Sequence, residues 1–355
     1  MRPNTFLQDL GIQHPIIQAP MSGGGTTPEL VAAVCNAGAL GSLGAAYLTP
    51  DQLASDIRSI RALTAKPFNV NLFAGGYTPE SPVDAAPMLA ILAEIHASLG
   101  LPAPVLPPWP PNRFDEQLEV VLDARPAIFS FTFGVLAPDA LARLRKRGIA
   151  IIGTATTAKE GRRLDESGVT AIVAQGAEAG GHRGTFVGAF ETSLVPTLQL
   201  VPALRNEVSV PVIASGGLMD GRDIADSFAR GAVAAQLGTA FLTCHESGIS
   251  DSYKRALLAA RSDTTIITRA FSGRPARSLA NAFTERLRKN EGIILPFPLQ
   301  NALTRPMRAG AAKLDNSEFQ SLYAGQGVSR ARSLPAGQLI SHLVAQLNSA
   351  LSASA

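Results

Sequence analysis

One of the five histidines stands in a stretch suited to ligand contact. His182 lies within Gln175-Gly176-Ala177-Glu178-Ala179-Gly180-Gly181-His182-Arg183-Gly184. Glycines there let the backbone approach a ligand closely and adopt positive φ. An imidazole in that setting, titrating near neutrality, could take a proton from a substrate carbon or hydrogen-bond an oxyanion. Three more glycine-rich turns accompany it: Pro20-Met21-Ser22-Gly23-Gly24-Gly25, Ser215-Gly216-Gly217, and Gly238-Thr239 following Gln236-Leu237. The last two suit a phosphate cradle of backbone N–H groups, with the threonine hydroxyl as a further donor. The amides of Asn69, Asn71 and Gln175 could donate and accept across the edge of a flavin ring without adding charge. That set fits flavin mononucleotide (FMN), and the amides alone fit a phosphosugar equally. His14, His96, His245 and His342 fall outside these turns and read as structural or surface residues. Cys35 and Cys244, the only cysteines, stand in no metal-ligand spacing, so no metal site is expected. No serine sits in a nucleophile elbow, neither HExxH nor a DxDxDG loop occurs, and no GxGxxG follows the first strand.

For these turns to meet, the chain must bring several strand ends to one rim. Short apolar runs followed by turn residues occur at 16–19, 40–44, 68–72, 127–131, 150–153, 171–174, 210–214 and 234–237. Eight parallel strands close a barrel whose interior side chains can fill, and its ligands sit where strands end and βα loops begin. The helices between them carry readable ends. Thr27-Pro28-Glu29 and Thr49-Pro50-Asp51 combine a hydroxyl cap, a first-turn proline and an acid, and Gly38, Gly148, Gly168 and Gly231 stop helices. The reading is α/β, a (β/α)8 TIM barrel over residues 1–243, interrupted at about 75–116 by a proline-rich, irregular insertion around Trp109. A helical, basic lid is expected at 244–322, inserted after strand eight. Residues 323–355 then form a C-terminal segment that returns the last barrel helix to the wall.

Composition narrows the classes. Of 355 residues, 46% are hydrophobic and 17% charged, enough for a large core and too little charge for disorder. Between Lys254 and Arg308 eleven basic residues face three acids (Asp263, Glu285 and Glu291), but they are interleaved with Leu, Ala, Phe and Pro. That pattern argues for solvated helix faces, or a field drawing in a small anion, and against nucleic acid. The first residues lack the apolar centre of a signal peptide, and no uncharged run reaches the ~18 residues of a membrane span. A reduced, cytoplasmic, soluble protein is expected, with homo-oligomerisation left open.

Several separated motifs then carry a resemblance. IIQAPMSGGGTTPELVAAVCNAGALGSLGAAY, FNVNLF, AQGAEAGGHRG, PVIASGGLMDGRDIADSFARGAVAAQLGTAFL, SGRPARSLANAF and YAGQGV run in order from residue 16 to 328. Together they resemble the nitronate monooxygenases, formerly called 2-nitropropane dioxygenases. The resemblance implies a TIM barrel with non-covalent FMN contacted by Asn71, Gln175, Gly180, Gly217, Gln236, Leu237, Gly238 and Thr239. It places Met21 near the flavin ring and makes His182 the catalytic histidine. It further implies oxidation of small anionic alkyl nitronates, such as propionate 3-nitronate, by O2 to a carbonyl compound and nitrite, a detoxification that needs no NAD(P)H. The sequence departs from the family at Thr26, where Ser is frequent, and at Tyr323, where Trp is common. Two rivals stay open: an FMN-dependent NAD(P)H reductase of quinones or enoyl-acyl carrier protein on the same barrel, and a non-catalytic barrel that only binds a phosphorylated ligand.

Overall fold

The computed structural model describes residues 6–261 and 265–353; Asp263, one of the three acids of the basic stretch, lies outside them. Eleven strands follow one another: β1 Ile16–Gln18, β2 Ser42–Gly44, β3 Asn69–Phe73, β4 Ile128–Thr132, β5 Ala150–Ala155, β6 Ala171–Gln175, β7 Gly181–His182, β8 Val212–Ser215, β9 Ala234–Leu237, β10 Thr265–Thr268 and β11 Ala276–Leu279. Eight of them form one sheet in the order β1-β9-β8-β6-β5-β4-β3-β2, and every pairing in it is parallel. A parallel bridge between Ile17 and Leu40 brings β1 alongside the chain entering β2, so the sheet closes on itself. The expected (β/α)8 barrel is present, with all eight anticipated runs as its staves.

The wall helices start where their caps predicted. Thr27 accepts from the Leu30 N–H ahead of Pro28–Asn36, and Thr49 forms a capping box with Gln52 ahead of Pro50–Leu63. Gly168 ends Ala158–Ser167 at φ +81°, a conformation L side chains rarely adopt. Between staves and helices runs the main core, from Ile16 and Leu30 through Phe129 and Phe131 to Leu343. Inside the barrel the character changes along the axis. Ile17, Leu40, Ile128, Ile152, Val173 and Ile213 form an apolar plug with Leu7 and Ile12 at one end. Toward the other end the buried positions are polar, among them Asn69, Asn71, Ser130 and Ser215. The last helix, Ala336–Ala353, packs against Gly221–Ala229 and Pro28–Asn36; a Cβ on Gly221 would lie 2.2 Å from the Leu347 nitrogen.

Two regions differ from expectation. The proline-rich insertion is not wholly irregular, because Ala86–Ser98 is a helix. The segment after β9 is largely helical, in Asp251–Ala259, Ala282–Arg288 and Leu299–Lys313, but it also contributes β10 and β11. β10 reads Thr-Ile-Ile-Thr, four β-branched residues that favour a pleated surface over a helix. These strands pair antiparallel, and β11 pairs in turn with β7. The two insertions share a second core in which Met88, Leu92 and Ile95 meet Phe271, Phe283, Leu287, Leu299, Leu303 and Met307. Among the described residues no helix is long and apolar enough to cross a membrane.

Candidate active site

A cavity of about 440 Å³ opens over the polar end of the barrel. Its lining includes His182, Met21, Asn71, Gln175, Gly180, Gly217, Gln236, Leu237, Gly238 and Thr239, all picked from the sequence, whereas the third amide picked, Asn69, is buried outside the lining. None of the other four histidines lines it, and His96 is buried elsewhere with its Nδ1 2.7 Å from the Pro102 carbonyl oxygen.

The floor is made of strand ends. Asn69 and Asn71 each donate an amide hydrogen to Ser130 Oγ, at 2.8 and 2.9 Å, which fixes both amides on the barrel axis side. After β8, Gly216 and Gly217 sit at φ +127° and +72°. Beside them Thr239 opens the short helix Thr239–Leu242, whose first N–H groups have no partner within the helix. The Thr239 hydroxyl oxygen accepts from the Gly325 N–H at 2.9 Å, keeping its own hydrogen available to a ligand. Here two loops touch backbone to backbone: a Cβ on Gly180 would come within 2.6 Å of the Ala324 carbonyl carbon and the Gly325 nitrogen, and the Gln326 N–H donates to the Glu178 carbonyl. Only glycine permits that approach.

The loop carrying His182 is braced from behind. The Gln175 side chain donates to the His182 carbonyl at 3.0 Å and accepts from the Gly184 N–H at 2.8 Å. Both ends of that amide therefore serve the loop. Arg183, 1% exposed, donates to the carbonyls of Gly176, Gln175 and Ser193. Buried Glu160 accepts from the backbone of Thr156, Phe186 and Val187 and from the Thr156 hydroxyl. Arg183 and Glu160 were not singled out from the sequence. An arginine in a glycine-rich loop reads as exposed until tertiary packing covers it.

His182 itself is held by the roof. Its Nε2 lies 2.7 Å from Ser272 Oγ, in the SGRPAR segment between β10 and β11. The imidazole sits among Tyr323, Phe133, Phe297 and Phe73, with ring centroids 5.2 to 6.5 Å away. Burial, with Arg274 and then Arg308 nearby, pushes its pKa down from 6.5 to about 3. This corrects the expectation of titration near neutrality: at pH 7 the ring is uncharged and a weak base. Its Nδ1 pairs with nothing among the described residues, leaving it for the cavity. Phe133, at φ +72°, is stacked under the Arg274 guanidinium at 4.0 Å from its ring centre.

Among the described residues lining the cavity there is no Asp, Glu or Lys, and the only full charges are Arg305 and Arg308. The space is therefore net positive. No group of His, Cys, Asp and Glu among the described residues could hold a metal ion. Cys35 and Cys244 are buried, with pKa values pushed up by burial to about 11 and about 12, and neither lines the cavity.

The comparisons with known proteins agree with this arrangement. The sequence profile of the nitronate monooxygenase family matches residues 4–346. A probable nitronate monooxygenase of Staphylococcus haemolyticus is 40% identical over 350 residues, covering 98% of each chain. The crystal structure of nitroalkane oxidase from Streptomyces ansochromogenes superposes with a TM-score of 0.90 at 42% identity, covering 99% of this chain and 100% of that one. FabK from Thermotoga maritima follows at 0.76 and 27%, covering 100% and 98%. With a matching profile over almost its whole length, a barrel of the same shape and one net-positive cavity at the strand ends, the chain belongs to the nitronate monooxygenase family of oxidoreductases.

Proposed function

We propose that the protein oxidises alkyl nitronates, propionate 3-nitronate among them, with molecular oxygen, using FMN held without a covalent bond. Two nitronates share one O2: in each the carbon–nitrogen double bond gives way to a carbon–oxygen double bond with one of its oxygen atoms, and nitrogen departs with its own two oxygens as nitrite. The observation that carries this reading is the charge of the cavity: two arginines, no carboxylate and an uncharged histidine. A nitronate is already deprotonated. It needs cationic surroundings and a hydrogen-bond donor, and it needs no base.

The residues present fit FMN. The positive turn of Gly216-Gly217 and the unpaired first turn at Thr239 suit its phosphate. Asn71, Gln236 and the glycine backbone at Gly180 and Gly238 offer uncharged polar contact for its ring and ribityl chain, with Met21 and Leu237 as apolar neighbours. When bound, FMN supplies the redox chemistry. The protein's own part is positional. Neutral His182, in the tautomer whose Nε2 accepts the Ser272 hydroxyl hydrogen, presents Nδ1–H as a donor to a nitronate oxygen. Gln175, Arg183 and Glu160 hold the loop so that this contact does not wander. The aromatic rings around the imidazole keep water out, which strengthens each polar contact.

Oxygen uptake by the FMN-loaded protein with propionate 3-nitronate, run beside NADH and NADPH, tests the proposal. Rapid uptake with nitronate alone is expected. Bleaching of the flavin by NADH or NADPH with no response to nitronate would overturn it in favour of a reductase, the reading that the likeness to FabK keeps in view. Failure to take up FMN would favour a barrel that binds another phosphorylated ligand.

A further inference from the structure

We infer that Arg308, Tyr47 and Tyr323 form a clamp for a planar two-oxygen anion where the roof of the cavity meets the barrel rim. The inference rests on the proposed nitronate chemistry for the identity of its natural ligand, but not for its geometry. Arg308 projects from Leu299–Lys313, and one end of its guanidinium is pinned: Nη2 donates to the Asn301 carbonyl at 2.7 Å and to Asn301 Oδ1 at 2.9 Å. Its Nε, although buried, finds no acceptor. The Tyr47 hydroxyl is buried and unpartnered as well, and the buried Tyr323 hydroxyl, beside Ser272 and the Arg308 charge, has no partner of good hydrogen-bond geometry. All three side chains line the same cavity, and the Tyr323 ring is 5.2 Å from that of His182.

Buried polar groups are ordinarily paired, and leaving three hydrogen-bond donors unmatched around one space is costly. Burial raises the pKa of both phenols, so they stay protonated donors across the working pH range. Since no carboxylate lines the cavity, the missing acceptor has to come from the ligand. A guanidinium only donates, and each of the two flanking hydroxyls has a hydrogen to donate. A group that only accepts can engage all three at once, and a planar pair of oxygens can be shared between the Arg308 Nε–H and the two phenol hydroxyls. Two parts of a substrate carry that chemistry: the nitronate head, and a carboxylate on its tail.

The test uses the FMN-loaded protein with acetate and nitrate as probes, their binding followed by calorimetry in wild type, Arg308→Met, Arg308→Lys and the paired Tyr47→Phe/Tyr323→Phe variant. Binding weakened at least tenfold by Arg308→Met and by the double Phe variant, with partial recovery in Arg308→Lys, is expected. The Phe variant preserves ring volume, so it keeps the test open if Arg308→Met fails to fold. KM for ethyl nitronate and for propionate 3-nitronate then separates the sources. A rise for both assigns the clamp to the nitronate head, and a rise for propionate 3-nitronate alone assigns it to the carboxylate. Wild-type protein that binds neither probe, or variants that bind both unchanged, would overturn the clamp even if nitronates are oxidised. Probe binding that depends on Arg308 in a protein inert to nitronates would keep the clamp and remove the proposed reaction.

Discussion

The floor of the cavity and its roof face each other across the same space, and they are built on opposite principles. The floor consists of barrel strand ends: backbone, amides and hydroxyls, with no ionised side chain. Each group is fixed by a neighbouring strand, as Asn69 and Asn71 are fixed by Ser130. The roof comes from the segment after β9, and it brings Arg305, Arg308, Ser272 and a set of aromatic rings. Its own hydrophobic core holds it together, separate from that of the barrel. A rigid uncharged floor suits a large cofactor whose position must not change, whereas a charged roof suits discrimination among small anions. The comparison teaches that holding the cofactor and choosing the substrate rest on different cores, so they should fail separately.

The largest expected effect is on the floor. Thr239→Asp puts a carboxylate where the proposed phosphate lies, and like charges at that range cost several kcal/mol. FMN affinity should fall about 100-fold or more, read as flavin absorbance that no longer travels with the protein on gel filtration. Stoichiometric flavin in that variant would remove the phosphate from this corner. His182→Asn touches the roof side of the same cavity: turnover of nitronate should drop about 100-fold, the scale of one lost oxyanion donor, while bound flavin stays at one per chain. Joint loss of flavin and turnover would mean that floor and roof are not separable.

Leu303→Ala addresses the roof core alone. Leu303 is buried between the two insertions, and a cavity there should cost about 2–5 kcal/mol. Thermal unfolding should then split into an earlier roof transition and a later barrel transition; a single transition shifted as a whole would show one cooperative unit. The smallest effect concerns pH. His182 has its folded pKa depressed to about 3 against 6.5 unfolded, so the unfolded chain binds the proton first. Stability from this group is intact above about pH 6.5 and declines as pH falls toward 3. Denaturant melts between pH 7 and 5 should show a steeper loss in wild type than in His182→Asn, and parallel lines would place the imidazole in water.

The same division governs what could be read from the sequence. Staves and caps are local: a short apolar run ending in turn residues, and Thr-Pro-acid at a helix start, both show within a dozen residues. The floor residues follow at once, because a residue just past a strand must lie on the rim. The roof is assembled from distant pieces. Ser272 meets His182, and Tyr47 on the loop after β2 shares a wall with Arg308, only because the segment after β9 folds over the opening. No periodicity encodes that. The uncharged state of His182 was missed for the same reason: its glycine neighbours suggest exposure, and the rings that dry it come from four other segments. The strand at Thr265–Thr268 did carry a local signal in its four β-branched residues, outweighed by the helical stretches around it.

The seam between Gly180 and Gly325 bears on how the protein is made. Thr239, at the proposed phosphate corner, accepts from the Gly325 N–H, and the loop beside it is held by Gln326. A ribosome that has released every barrel strand has still not supplied these residues, and the wall helix Ala336–Ala353 comes later again. The nascent chain thus carries a barrel with an open side and no finished cofactor pocket. Whatever ligand this pocket takes, its last contacts form only once the C-terminal segment has left the ribosome.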